Sequence, residues 1–215
     1  MNNHLVIGLG EVGTAIKKVF SADGFDIKNG DTKLTKDYQY LHICIPYSDN
    51  FIDIVKGYQK FITPKYTIIH SSVPVGTSRK CNALHSAIRG LHPNLYEGIM
   101  TFPKFIGGAQ ASEVADVFRR VGLHVILLDT QESSELGKLL DTEYYKSCVE
   151  FTLRAKTLCD KHNVPFHESY TLFNTTYNEG YTKLGYSEYV RPVLQPIMQP
   201  IGGHCLVPNS KLLDL

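Results

Sequence analysis

Leu5-Val6-Ile7-Gly8-Leu9-Gly10-Glu11-Val12-Gly13-Thr14 opens the chain and decides how the rest is read. A short apolar run feeds a glycine turn, and Thr14 to Phe20 suit a helix. Strand, glycine turn and helix in that order is the setting in which a G-x-G-x-x-G spacing binds a dinucleotide. Gly8 would make the tight turn, Gly10 would bring a pyrophosphate against bare backbone, and Gly13 would let the helix pack closely on the strand. Glu11 and Val12 fill the variable places, at a helix N-terminus whose free amides suit phosphate oxygens. These five residues are the expected cofactor cradle.

Working outward, Phe25 to Lys28 reads as a second strand, and a dinucleotide fold places a ribose-binding acid near its end. Asp31 is the candidate, although Asn29 sits closer to the usual spacing and Asp26 is expected to point out of the strand. An Asn at the ribose would weaken discrimination against a 2′-phosphate. NAD is therefore the expected cofactor, with NADP left open. Tyr40 to Pro46, Tyr66 to His70, Phe105 to Gly108 and His124 to Leu128 read as further strands, with helices over Asn50–Gln59 and Ala111–Val121. Pro46, Ser71 and Ser72 stand at strand ends, where an open parallel sheet presents ligand contacts. Cys44, inside its strand, reads as a small buried hydrophobe. The alternation predicts an α/β fold: a Rossmann-like doubly wound parallel sheet over residues 1–130, then a long helix and an irregular, partly helical C-terminal segment over 131–215.

Glu132 to His162 holds no Gly or Pro after Gly137, and Leu136, Leu139, Leu140, Cys148, Phe151, Ala155, Leu158 and Cys159 recur at helical spacing. The pattern predicts one long helix or two in line, capped by Ser133 or Ser134 and stopped by Asn163-Val164-Pro165. A stripe of that length calls for a partner, so a homodimer through the long helix is expected. Phe166 to Leu215 is Tyr-rich, then Pro-rich, and reads as irregular structure around short helices.

Lys and Arg number 22 against 21 Asp and Glu, a formal charge of +1 without charged blocks, which gives nucleic-acid and membrane-surface roles no electrostatic support. No apolar run approaches the roughly 18 residues that cross a bilayer, and Met1-Asn2-Asn3-His4 lacks a charged leader region, so a cytoplasmic protein is expected. Five cysteines without a C-x-x-C pair fit reduced thiols, and nine histidines without a ligating spacing predict no metal site.

Near the end stands Gly202-Gly203-His204-Cys205. Two readings are open: a loop in which a basic neighbour lowers the thiol pKa, or a tail with an incidental cysteine. In order along the chain, Gly8 to Gly13, Ile43-Cys44-Ile45-Pro46, Ser71-Ser72-Val73-Pro74-Val75-Gly76-Thr77, Glu135-Leu136-Gly137-Lys138-Leu139 and Gly202-Gly203-His204-Cys205 resemble the first half of the UDP-glucose/GDP-mannose dehydrogenase family of nucleotide-sugar oxidoreductases. That resemblance implies an NAD(P)-dependent oxidation of a sugar primary alcohol in two hydride transfers. The intermediate aldehyde would be held on Cys205 as a thiohemiacetal and oxidised to a thioester. Lys138 would stabilise the oxyanion, and Arg191, fourteen residues before Cys205, would touch the substrate.

The departures from the family pattern are equally specific. Asn94, in His92-Pro93-Asn94, replaces an acid; Thr142 replaces the Asn four residues after the helix lysine; Asn209 replaces the Asp four residues after the cysteine. An amide is no general base, so thioester hydrolysis would slow by about 10²- to 10⁴-fold unless His92 or His204 substitutes near the sugar. His70, His85 and His124 are expected to be structural. The family's second α/β domain lies outside these 215 residues. Against a sugar or nucleotide-sugar oxidoreductase stand two alternatives. One is a dinucleotide-binding module or sensor without catalysis. The other is a two-electron 3-hydroxyacid-type dehydrogenase, which has no use for the Gly-Gly-His-Cys loop.

Overall fold

The computed structural model describes residues 3–28, 34, 38–197 and 206–213. It divides into two compact units, Met1–Leu139 and Leu140–Leu215. In the first, β1 (His4–Ile7), β2 (Asp23–Phe25), β3 (Tyr40–Ile43), β4 (Tyr66–Ile69), β5 (Leu84–His85), β6 (Lys104–Gly107) and β7 (Val125–Leu128) form one sheet in the order β2-β1-β3-β4-β5-β6-β7. The fold is Rossmann-like α/β, but the sheet is mixed. β5 pairs antiparallel with β6, and β6 pairs parallel with β7, so the last two strands run against the first five. The sequence pattern could not reveal this reversal, because β5 is only two residues long and was not expected as a strand.

Helices α1 (Glu11–Phe20), α2 (Phe51–Ile62), α3 (Thr77–Lys80), α4 (Leu95–Thr101) and α5 (Ala111–Arg120) accompany the sheet. Two buried apolar clusters result. One joins Val6, Ile16, Phe20, Ile68, Ile106 and Phe118, and the other joins Leu5, Ile7, Leu41, Ile43, Phe51 and Val55. Alternate residues of β1 serve the two clusters, as a strand buried on both faces requires. The second strand lies earlier than the sequence suggested: it ends at Phe25, which puts Asp26 just beyond its carboxyl end.

Helix α6 (Gln131–Lys161) is continuous, and the division between the units falls within it. Its cap is Thr130 rather than Ser133 or Ser134: the Ser133 amide donates to Thr130 Oγ1 at 3.1 Å. Its stop is as expected. Asn163 takes a left-handed φ of 53°, and the Val164 amide reaches back to the Cys159 carbonyl at 3.0 Å. In the second unit, Phe166 onward is more regular than the sequence suggested. A π-helical turn, His167–Leu172, runs into α7 (Phe173–Lys183), followed by a 3₁₀ turn at Ser187–Tyr189 and, later, α8 (Leu206–Lys211).

Candidate functional site

Strand order β2-β1-β3 makes the carboxyl ends of β1 and β3 a topological switch point, where open α/β sheets bind ligands. The glycine turn lies there. Gly8 holds φ +89°, and a Cβ on it would come within 2.8 Å of the Cys44 carbonyl; a Cβ on Gly13 would sit 1.7 Å from the Gly8 carbonyl. A Cβ on Gly10, by contrast, would meet nothing within 4 Å, so bare backbone faces open space at the start of α1. This cradle fits the pyrophosphate of a dinucleotide. Glu11 is exposed in the first turn of α1, and Val12 packs on the first apolar cluster.

Asp26, not foreseen as a site residue, completes the cradle. Its carboxylate accepts the Leu9 amide at 2.8 Å and the Lys28 amide at 2.8 Å, and these bonds hold it below the usual carboxylate range. An acid at the end of the second strand is the available signal, obscured because the sequence pattern extends that strand three residues too far, to Lys28. Asp31, the expected ribose acid, lies outside the described residues.

Beside the cradle, Ser71 Oγ donates to the Ile45 carbonyl at 2.5 Å, next to exposed Pro46, while Ser72 is half-buried. Behind Ser71, buried His85 donates from Nε2 to the Ser71 carbonyl at 3.1 Å, so Nδ1 accepts the Ser134 hydroxyl at 2.8 Å. Burial lowers His85 to about 4 and keeps the ring neutral. One residue further on, the Glu135 carboxylate accepts the Gly76 amide at 2.6 Å and the Ser78 amide at 2.7 Å. Half-buried Lys138 follows on the same helix. Its charge and that of Arg89 add to the burial that lowers Lys104, at the start of β6, to about 7. Lys104 Nζ donates to the Ser86 carbonyl at 2.9 Å and the Ala87 carbonyl at 2.7 Å.

The Ser86 carbonyl also ends a ladder of imidazoles crossing β1, β3 and β4. His70 Nδ1 lies 2.8 Å from that oxygen, His42 Nδ1 lies 2.9 Å from His70 Nε2, and His4 Nδ1 lies 3.0 Å from His42 Nε2. A carbonyl only accepts, so each Nδ1 carries the proton and donates toward Ser86. Burial pushes all three rings below their ordinary values, His4 to about 4. His70 and His85 are thus structural, as expected.

The remaining expected residues scatter. His92 pairs through Nδ1 with the Glu11 carboxylate at the start of α1, and Asn94 is exposed at the N-cap of α4. In the second unit, buried Asn209 donates from Nδ2 to Thr142 Oγ1 at 3.2 Å, bringing together two positions predicted separately. Arg191 lies exposed there, its guanidinium 3.5 Å over the Tyr177 ring and its backbone bonded to Asn178. Gly202, Gly203, His204 and Cys205 lie outside the described residues. Among the described residues, no three His, Cys, Asp or Glu side chains gather as a metal site, and no helix is long and apolar enough to cross a membrane.

No protein-family profile and no curated protein matches the sequence. Solved structures do. UDP-D-ManNAc dehydrogenase from Pyrococcus horikoshii superposes with a TM-score of 0.77 at 15% identity, over 97% of this chain and 63% of that one. NDP-N-acetyl-D-galactosaminuronic acid dehydrogenase from Methanosarcina mazei Go1 gives 0.72 at 14% identity, over 98% and 59%. The 3-hydroxyisobutyrate dehydrogenase of Mycobacterium tuberculosis gives 0.66 at 13%, over 94% and 77%. The chain thus has the fold of these dehydrogenases and spans about three-fifths of the length of the first two.

Proposed function

We propose that this chain is an NAD-dependent oxidoreductase of the nucleotide-sugar type, acting on a sugar-like primary alcohol or aldehyde. The observation that carries the reading is the cradle: bare backbone at Gly10 opposite a carboxylate at Asp26, on the ligand edge of a dehydrogenase fold whose nearby helix bears Lys138. The Gly8–Gly13 turn and the α1 amides hold the pyrophosphate. Asp26 takes the ribose hydroxyls and disfavours a 2′-phosphate, which selects NAD over NADP. When bound, the dinucleotide takes up hydride from the substrate carbon.

The chain's own residues do the rest. The Cys205 thiolate adds to the aldehyde carbon, a C–S bond forms, and the carbonyl electron pair moves to oxygen. The Lys138 ammonium meets the developing oxyanion. Arg191 serves the substrate's negative charge. The protein works in the reducing cytoplasm as a homodimer through α6, whose Phe151, Leu158 and Cys159 line, with Tyr170 of the π-helical turn, an open groove of about 580 Å³.

Thermal melts with NAD and NADP, and NADH formation with UDP-N-acetylmannosamine and UDP-glucose, test the reading. NAD should raise the melting temperature more than NADP does, and Cys205→Ser should abolish acid formation while sparing NAD binding. Turnover unaltered by that change would remove Cys205 from the mechanism.

A second reading, a dinucleotide-binding module without catalysis, is favoured by Asn209, whose amide, bonded to Thr142, stands where the family pattern has an Asp. Alkylation by iodoacetamide separates the two. Burial pushes Cys44 up to about 12 and Cys81 up to about 11, so both are slow internal references. An activated Cys205 reacts far faster than either, and an ordinary one does not.

A further inference from the structure

We infer that Glu135 is a positioning residue that clamps the Ser71–Ser78 turn to the first turns of α6 and so sets where Lys138 stands. The inference rests on the dehydrogenase reading above. Glu135 is 1% exposed, and its two carboxylate oxygens accept separate backbone amides, Oε2 from Gly76 and Oε1 from Ser78. Bonds of 2.6 and 2.7 Å to a carboxylate are the strong, charge-assisted kind. A Gln in its place could accept only one of the two amides, since its NH₂ group would face the other donor.

The clamp connects two parts of the site that differ in chemistry. At one end, Gly76 holds φ +88° and is the N-cap of α3, the continuation of the hydroxyl-bearing turn. At the other, Lys138 follows Glu135 by three residues, the spacing that puts two side chains on one helix face. A second tie runs parallel: Ser134, beside Glu135, bonds His85, which in turn holds the Ser71 carbonyl. Each half of the turn is therefore fastened to consecutive residues of α6.

The clamp depends on ionisation. Burial pushes the Glu135 carboxyl above the usual carboxylate range, against the pull of the two amides. Facing it are Glu132 on its own helix, which adds to the rise, and Arg79 and Cys81 from the α3 side, Arg79 being paired to Glu132 at 2.5 Å. Protonation costs one of the two accepting oxygens and loosens the turn.

Hydrogen exchange and kinetics test this together, using the intact chain. Exchange at the Gly76 and Ser78 amides should be slow in the wild type and at least about tenfold faster in E135Q, independent of any substrate. With NAD and UDP-N-acetylmannosamine as probes, E135Q should lower kcat by about 10- to 100-fold while the NADH dissociation constant stays within about twofold. The wild-type kcat should fall on acidification through the raised Glu135 range, and E135Q should lack that limb. Should E135Q fail to fold, E135D retains the charge on a shorter arm and should show the same split at smaller amplitude. Unchanged exchange at both amides, or equal kcat with a weakened NADH affinity, overturns the inference. A wild type that binds no NADH, with its amides protected, overturns the dehydrogenase reading instead.

Discussion

The two units treat their apolar residues in opposite ways. The first buries Leu5, Ile7, Ile16, Phe51, Ile68 and Phe118 completely or nearly so, on both faces of its sheet. The second leaves Tyr144, Phe151, Leu158, Phe173 and Leu184 more than half exposed. A core sealed on two faces is self-sufficient, whereas an open apolar stripe on a long helix is stabilised only when something covers it. The first unit is therefore expected to answer to changes in packing and protonation, and the second to whatever covers its stripe.

The strongest test of the sealed unit is Gly13→Ala. The added methyl carbon would lie 1.7 Å from the Gly8 carbonyl, which is backbone and cannot yield. Helix α1 must move off β1, at a cost of about 3–5 kcal/mol, and the cradle is lost with it. Urea unfolding should report the loss, and NADH binding should disappear. A variant as stable as the wild type would mean that helix and strand do not approach so closely.

Acid is the next lever. His4, His42, His70 and His85 are all held below their ordinary values by burial, so the unfolded chain binds protons that the folded chain refuses. Their contribution is present above about pH 6.5 and is lost as pH falls toward the folded values, about 4 for His4 and His85. The melting temperature should drop steeply between pH 6.5 and 4, buried His85 alone accounting for about 3 kcal/mol of stability. His70→Asn should flatten that slope. A melting temperature constant across this range would show that the ladder accepts protons while folded.

Much of the first unit was legible because the glycine spacing and the apolar runs are local signals. Gly8, Gly10 and Gly13 announce their turn, and β1, β3, β4 and α6 follow from periodicity within a few residues of their ends. The short elements were not. Leu84–His85 is too brief for alternation to register, and α3 and α4 carry too few residues to show a stripe. The imidazole ladder was invisible for another reason: His4, His42 and His70 are far apart in sequence, and only strand register aligns them. A strand end three residues off hides Asp26, whereas spacing marks Thr142 and Asn209 singly and carries no sign that they meet.

The open unit should respond to charge on its stripe. Phe151 is 53% exposed and flanks the groove along α6. Phe151→Glu would desolvate a carboxylate in any helix-to-helix contact and should weaken a homodimer by about 100-fold, or roughly 3 kcal/mol. Light scattering across a dilution series measures this directly, and the melting temperature of the first unit should not change. A wild type that remains monomeric at high concentration would rule out the second copy and leave another chain as the cover.

The smallest expected effect bears on which of the two functional readings holds. Asn209→Ala removes the donor to Thr142 Oγ1 from a buried site and should cost about 1–2 kcal/mol in stability. Asn209→Asp keeps the shape and accepts the Thr142 hydroxyl instead, but burial raises its carboxyl pKa, so its cost should be comparable, about 1–2 kcal/mol. In the dehydrogenase reading it also supplies the base that thioester hydrolysis lacks, and acid release from Cys205 should accelerate by about tenfold or more. A binding module would gain nothing from that carboxylate. Equal acid release in Asn209→Asp and wild type, with Cys205 alkylating no faster than Cys44, would therefore favour the module.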